Sequence, residues 1–266
     1  MRHLVQEDFG GVQGRRLKEN EDRLKACLAQ SMVGVGELYC FDRVESTMDV
    51  AFALNRTVDR TVIVAREQIG GRGRFNRPWY SEPGGLYTSI VLTEFDPAIP
   101  YSMLASYALL RTFRTLGVQA ALKWVNDVLC SKGRKVAGVL TEEREGISVI
   151  GIGVNVNNRE FPSELKERAT SLRLETGREV DIIDLLCSVL QTFLPILDRA
   201  HGGDIEDLLA AWEQESDLRG RKVKLVGEYG ELYGVVRGIN RKNGALLLSA
   251  DDELREVYEG SLDYLD

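Results

Sequence analysis

Between residues 121 and 156 the chain offers four β-rich runs, 121–125, 127–130, 135–142 and 147–156, separated by little more than the turns at Gly133 and Gly146. This crowding constrains the fold more than any other feature. A parallel crossover consumes roughly a dozen residues or more, so neighbours this close pair antiparallel. The runs 61–65 and 86–92 also read as strands, and an earlier one begins near 37–41. Ser46-Thr47 is placed to cap a helix running to about Asn55. Helical periodicity covers 101–116, stopped by Gly117, and then 181–197 and 204–214; a weaker stretch at 15–30 puts Leu17, Leu24 and Leu28 on one side. Four short strands, 221–226, 232–239, 245–249 and 253–259, then follow within ~50 residues, the size of a small SH3-like β-barrel. The pattern predicts an α+β protein. A mixed, mostly antiparallel sheet with helices on one face is joined to a small SH3-like C-terminal barrel. The expected parts are an N-terminal extension (1–36), a large body (37–217) and the barrel (218–266).

With 266 residues, 44% of them hydrophobic, the chain can bury a sizeable core without covalent staples. Its net charge of −7 removes any general attraction for nucleic acid, so an anion site has to be built from a local basic cluster. The four cysteines, Cys27, Cys40, Cys130 and Cys187, form no C-x-x-C pair, and only His3 and His201 could add imidazole. That spacing argues against zinc and predicts buried or idle thiols in a reducing cytosol. The N-terminus turns acidic before any apolar run develops, and no later run approaches the ~20 apolar residues of a membrane span. The expected location is cytoplasmic.

Four segments carry chemistry. In 68–79, Gly70, Gly71 and Gly73 let backbone N–H groups approach a ligand, while Arg72, Arg74 and Arg77 supply forked donors for phosphate or carboxylate oxygens. Trp79 adds a flat face. The same composition also suits a solvated basic loop. In 123–127, Lys123 is a compact charge at the end of a short strand, although Asn126-Asp127 is equally a turn dipeptide. In 135–140, Gly138 inside a strand marks either a bulge or a close approach to the backbone. In 151–157, Gly151 and Gly153 lack the third glycine and the following helix of a dinucleotide fingerprint; Asn155 either bonds a base or ribose edge or ends the strand. No P-loop occurs.

Taken in order, these segments resemble the signature of biotin–protein ligases: G-R-G-R-x-x-R-x-W at 71–79, K-W-x-N-D at 123–127, K-x-A-G-[IV]-L at 135–140 and G-[IV]-G-[IV]-N at 151–155. The resemblance covers about residues 37–217. It implies a class II synthetase-like catalytic domain that joins biotin to ATP, with Mg²⁺, as biotinyl-5′-AMP and passes the biotin to a lysine of a biotin carboxyl carrier protein. It implies biotin contacts at Ser46, Thr47, Gln68, Gly71, Arg72, Gly73, Arg74, Lys123 and Gly138. Nucleotide contacts are implied at Arg74, Arg77, Trp79, Lys123, Asn126 and Asn155, with Lys123 and Arg72 as the catalytic cations. The glycine–arginine loop is expected to be mobile and to close over the intermediate.

The chain departs from the family pattern at Met48 (usually Asn), Asn76 (usually Gly), Val125 (usually Pro) and Asp263 (usually basic). Residues 1–36 are shorter than the ~60 of a winged helix-turn-helix, so no DNA binding is expected. A homodimer is compatible with the resemblance. Two alternatives stand beside this reading. One is a lipoate ligase or octanoyltransferase of related fold, for which Cys130 near Lys123 would matter. The other is a non-catalytic biotin-binding regulator.

Overall fold

The computed structural model describes residues 14–31, 33–54, 56–227, 230–251 and 253–265. Residues 1–13 of the N-terminal extension, and Asn55 at the expected end of the second helix, lie outside them. In chain order the elements are α1 (Lys18–Ala29), β1 (Leu38–Val44), α2 (Thr47–Phe52), β2 (Thr61–Gln68), β3 (Leu86–Leu92), α3 (Tyr101–Thr115), β4 (Ala121–Lys123) and β5 (Asp127–Leu129). There follow β6 (Lys135–Arg144), β7 (Ile147–Val154), α4 (Leu172–Thr176), α5 (Ile182–His201) and α6 (Ile205–Gln214). The C-terminal part holds β8 (Lys222–Gly227), β9 (Gly230–Ile239), β10 (Leu246–Ala250), β11 (Glu253–Val257) and β12 (Ser261–Tyr264).

The first seven strands make one sheet in the order β1-β2-β3-β7-β6-β5-β4. Only β1 and β2 run parallel; every other pairing is antiparallel, as the short connections require. Strand periodicity distributes the apolar side chains to two faces. Val62 and Val64 of β2, with Ile150, Ile152 and Val154 of β7, join the large core that contains α1, α3, α5 and α6. Ile63 and Ala65 of β2, with Val91 and Val149, point the other way and meet Met48, Val50 and Ala51 of α2. The long helices thus share one face, and the short α2 leaves most of the other face free for a ligand. The interior strand β3, between β2 and β7, is buried along its whole length.

Helix ends follow their sequence signals. Ser46 caps α2 by accepting the N–H of Met48, and Asp181 caps α5 by accepting those of Ile183 and Asp184. The C-terminal strands form a five-stranded antiparallel sheet, β11-β10-β9-β8-β12, in which no pairing joins β11 to β12 among the described residues. The strand β12 was not expected. Its apolar content is slight: Leu262, buried between Ser261 and Asp263, and the partly buried Tyr264.

The cysteines correct one expectation. Cys27 on α1 and Cys187 on α5 are disulfide-bonded, with Cα atoms 6.4 Å apart. A separation of 160 residues hides such a pair from any spacing rule. Cys40 and Cys130 are free and buried, as expected of structural thiols.

Candidate active site

At the start of α2, Ser46 and Thr47 are almost wholly buried. The backbone N–H of Thr47 donates to Gln68 Oε1 at 2.8 Å, and its hydroxyl reaches the same oxygen at 3.1 Å and Ser89 Oγ at 2.8 Å. Gln68 Nε2 donates to Ser81 Oγ at 3.0 Å. These bonds fix the orientation of the amide. Its oxygen is already served twice, so what it offers a ligand is the second N–H of Nε2.

The glycine–arginine segment is a tight hairpin rather than an open loop. Trp79 N donates to Gly71 O and Gly73 N to Arg77 O, both at 2.8 Å. At the tip, Phe75 and Asn76 adopt left-handed backbone (φ 57° and 54°). The Phe75 ring lies 4.9 Å and 5.6 Å from the guanidinium carbons of Arg74 and Arg77. Such cation–π contacts offset the steric cost of a non-glycine residue at positive φ. A Cβ on Gly71 would lie 2.4 Å from Ser81 Oγ and 2.9 Å from Gln68 Nε2, so this glycine packs behind the glutamine.

Opposite the hairpin, β6 and β7 present a floor stripped of side chains. Gly138 pairs with Gly153, and Leu140 with Gly151. Trp79 lies over this floor: a Cβ on Gly153 would come within 2.6 Å of its Nε1 and Cε2, and one on Gly138 within 3.2 Å of Cζ3. Met48 occupies the space over Gly151, with Sδ 2.7 Å from a Cβ there. A buried thioether thus fills this part of the floor. Trp79 Nε1 is buried and has no acceptor among the described residues, which leaves a donor for a ligand.

Lys135, read in the sequence only as the first residue of its motif, reaches over Gly138 toward Trp79, with Nζ 5.0 Å from the ring centroid and 2.6 Å from Asp127 Oδ1. Lys123 lies 5.7 Å from the ring of Tyr264. The amides of Asn126 and Asn155 are committed to the backbone. Asn126 Nδ2 donates to Val139 O, and Asn155 Nδ2 to Thr170 O at 3.0 Å. Both asparagines fasten strand ends; Asn126 keeps its carbonyl oxygen and a second N–H for a ligand, and Asn155, which also reaches Lys135 O at 3.5 Å, keeps its carbonyl oxygen.

The C-terminal part closes the top. Arg74 donates to Gly260 O at 3.1 Å, and Arg77 reaches Ser261 Oγ at 3.5 Å. Burial pulls the Arg74 guanidinium's pKa below its ordinary value, against the pull of Asp127 and Glu259. Together these parts enclose a cavity of about 350 Å³. Its wall includes Ser46, Thr47, Gln68, Arg72, Gly73, Arg74, Arg77, Trp79, Lys123, Asn126, Gly138 and Asn155; Gly71, of the expected site residues, is not part of it. Lys135, Met48, Arg168 and Gly260 also line it. Asp263 does not, and the adjoining residues of β12 take that side instead.

The model of the biotin/lipoate A/B protein ligase family matches residues 40–157. A bifunctional ligase/repressor BirA of Bacillus subtilis is 30% identical over 263 residues, covering 92% of this chain and 79% of that protein. The chain belongs to the biotin/lipoate A/B protein ligase family. Another ligase of the family, the biotin–[acetyl-CoA-carboxylase] ligase of Paracoccus denitrificans, is 31% identical over 203 residues, covering 70% of this chain and 82% of that one. Among solved structures, the biotin protein ligase from Aquifex aeolicus in complex with biotin and ATP superposes with a TM-score of 0.78 at 31% identity, over 86% of this chain and 98% of that one. Cys130 is not among the residues of the cavity wall, and burial pushes its thiol up to about 12, opposite to the lowered value of a reactive cysteine. No cluster of three His, Cys, Asp or Glu side chains that could hold a metal occurs among the described residues. No described helix is long and apolar enough to cross a membrane.

Proposed function

We propose that this single cavity carries both half-reactions of biotin transfer. The chain is a biotin–protein ligase, an ATP-dependent enzyme that forms biotinyl-5′-AMP and passes biotin to a carrier protein. The observation that carries the mechanism is the polarity of the cavity. One end holds neutral hydrogen-bonding groups around Thr47 and Gln68 beside the apolar Met48; the other gathers Arg74, Arg77, Lys123, Lys135 and Arg168. A bicyclic urea fits the first end and a nucleotide the second. Ser46, Thr47, Gln68, Gly73 and Gly138 form the biotin side, with Gly71 packed behind Gln68. Arg77, Trp79, Asn126 and Asn155 form the nucleotide side, with Trp79 Nε1 as a waiting donor.

In the first step a biotin carboxylate oxygen attacks the α-phosphorus of ATP. The bond from that phosphorus to the bridging oxygen breaks, and pyrophosphate leaves with the electron pair. Two anions meet, so preorganised cations lower the barrier most. Arg74 and Lys123, with Lys135 held by its ion pair to Asp127, supply that charge, while Arg72 anchors the hairpin. Mg²⁺ belongs to the expected reaction; Asp127, ion-paired with Lys135, is the one carboxylate among the described residues of the cavity wall that could hold it beside substrate phosphates, and no step is routed through the ion. In the second step an uncharged lysine amine of the carrier attacks the acyl carbon and AMP departs. A biotin carboxyl carrier domain is the partner chemistry this requires.

A carrier complex and a homodimer both belong to this reading; beyond Gly138, where its pairing with β5 ends, β6 offers an unpaired strand edge that one such partner could add to. DNA recognition and membrane attachment form no part of this reading, and the reaction is placed in the cytoplasm. The decisive measurement is ATP–pyrophosphate exchange with biotin, lipoate or octanoate as the acid, followed by mass analysis of the purified complex. Biotin-dependent exchange with retained biotinyl-5′-AMP is expected. Exchange driven by lipoate or octanoate alone, or binding of biotin without exchange, would overturn the reading.

A further inference from the structure

Arg72 stands apart from the other cations of the cavity because its hydrogen bonds are already made. Its Nε donates to Glu142 Oε1 at 3.0 Å and its Nη2 to Glu142 Oε2 at 3.3 Å, the paired fork that arginine forms with a carboxylate. Its Nη1 lies 2.8 Å from Asp49 Oδ1. Glu142 also takes Arg144, whose guanidinium sits 4.5 Å from the Phe52 ring on α2. The result is a closed circuit of α2, hairpin and β6 in which two arginines and two carboxylates cancel. Strand periodicity puts Glu142 on the same face as Gly138 and Leu140, so the fork ties the base of the hairpin to the strand that forms the cavity floor. Arg72 is mostly covered. Burial pushes the Glu142 carboxyl up, but Arg72 and Arg144 outweigh it and hold it below its ordinary value, so it is charged at neutral pH. Arg74, two residues away, donates instead to the uncharged carbonyl of Gly260.

We infer that Glu142, assisted by Asp49, is a positioning residue: by holding Arg72 it keeps the 71–79 hairpin seated over the cavity, and so retains the acyl-adenylate until the carrier arrives. Arg72 then acts as the hairpin's anchor, and the anionic reactants meet Arg74 and the lysines. The inference deepens the ligase reading and rests on it for the retained species. The hairpin's attachment is a property of the free protein and can be tested separately.

The test uses the full chain with Glu142→Gln, Glu142→Asp and Asp49→Asn. Three quantities are read: amide hydrogen exchange over residues 71–79 without ligands, the rate of biotin-dependent pyrophosphate exchange, and the release and hydrolysis of biotinyl-5′-AMP without carrier. Losing a charged, forked hydrogen bond predicts about tenfold faster hydrogen exchange and about tenfold more escaped intermediate in Glu142→Gln. Pyrophosphate exchange should slow by only about threefold, since the adenylating cations stay in place. Glu142→Asp, which keeps the charge, should recover part of the retention, and Asp49→Asn should give a smaller loss in the same direction. Should Glu142→Gln fold poorly, Asp49→Asn carries the comparison. Unchanged hydrogen exchange at 71–79 in both Glu142→Gln and Asp49→Asn would overturn the inference. So would tighter substrate binding without leakage, the result expected if Glu142 merely withheld Arg72 from the substrates. If wild-type protein shows no biotin-dependent pyrophosphate exchange, the ligase reading fails while the hydrogen-exchange comparison still decides the anchor.

Discussion

A Cβ added at Gly153 would stand 2.6 Å from two atoms of the Trp79 ring, well inside van der Waals contact. Gly153 lies within a regular strand outside the positive-φ region, so alanine fits the backbone and only the tryptophan has to move. Gly153→Ala should therefore melt close to wild type yet bind ATP about two- to tenfold more weakly, losing the worth of one well-placed aromatic contact. Titration calorimetry beside a thermal melt checks this; wild-type ATP affinity would remove Trp79 from the nucleotide's path. Lys135 gives a second residue-scale prediction. Its ammonium neutralises Asp127 inside the cavity, so Lys135→Ala both removes a cation and leaves a carboxylate facing two incoming anions. The rate of pyrophosphate exchange should fall by about 100-fold or more, the scale seen when one preorganised donor is lost. Lys135→Ala together with Asp127→Asn should recover part of that loss, because the stranded negative charge is gone.

The elements were more legible in the sequence than their partners. Alternating runs and glycine turns between 121 and 156 announced an antiparallel sheet, and Ser46 and Asp181 announced two helix starts, because these signals are local. Contacts between distant segments carry no such signal. The sequence shows Arg72 as one arginine among three, and nothing in it marks Glu142, 70 residues on, as its partner. Lys135 looked like the opening residue of a strand until Gly138 gave its side chain room to cross the floor. The Cys27–Cys187 bond is the clearest case, and it matters at this scale because it fastens α1 to α5 beside the ion pairs of Arg23 with Asp181 and Asp184. Closing so long a loop limits the unfolded chain, worth about 2–5 kcal/mol. Cys27→Ser, or full reduction, should then lower the Tm by roughly 5–15 °C. The cavity lies on the opposite face of the sheet from this pair, so biotin affinity should be unchanged. A melt unaffected by reduction, in protein shown by thiol titration to have been oxidised, would contradict the assignment of α1 as a covalently held layer.

At the scale of the whole molecule, the two sheets are not separate bodies joined by a tether. One continuous core runs from Leu24 and Leu28 on α1, through α3, α5 and α6, to Val223, Leu225, Val236, Leu246 and Leu262 of the C-terminal sheet. Trp124 adds a buried hydrogen bond across the boundary, donating Nε1 to Gly244 O at 3.0 Å. The cavity repeats that connection on the other face of the main sheet, since Gly260, Ser261 and Leu262 complete a wall begun by the hairpin. Ligand binding and the docking of the C-terminal sheet are therefore thermodynamically linked: whatever stabilises one stabilises the other. Calorimetry of the free protein should show a single transition, because shared burial makes separate melting unfavourable. A stable biotinyl-5′-AMP analogue at about 100 times its Kd adds about 2.7 kcal/mol, which moves the Tm of a chain this long by roughly 5–10 °C. The whole transition should shift, including protection of the β12 amides against hydrogen exchange. Two transitions, with the analogue moving only the one that involves the larger sheet, would mean that the Arg74 and Arg77 contacts to Gly260 and Ser261 do not hold the cap over the site.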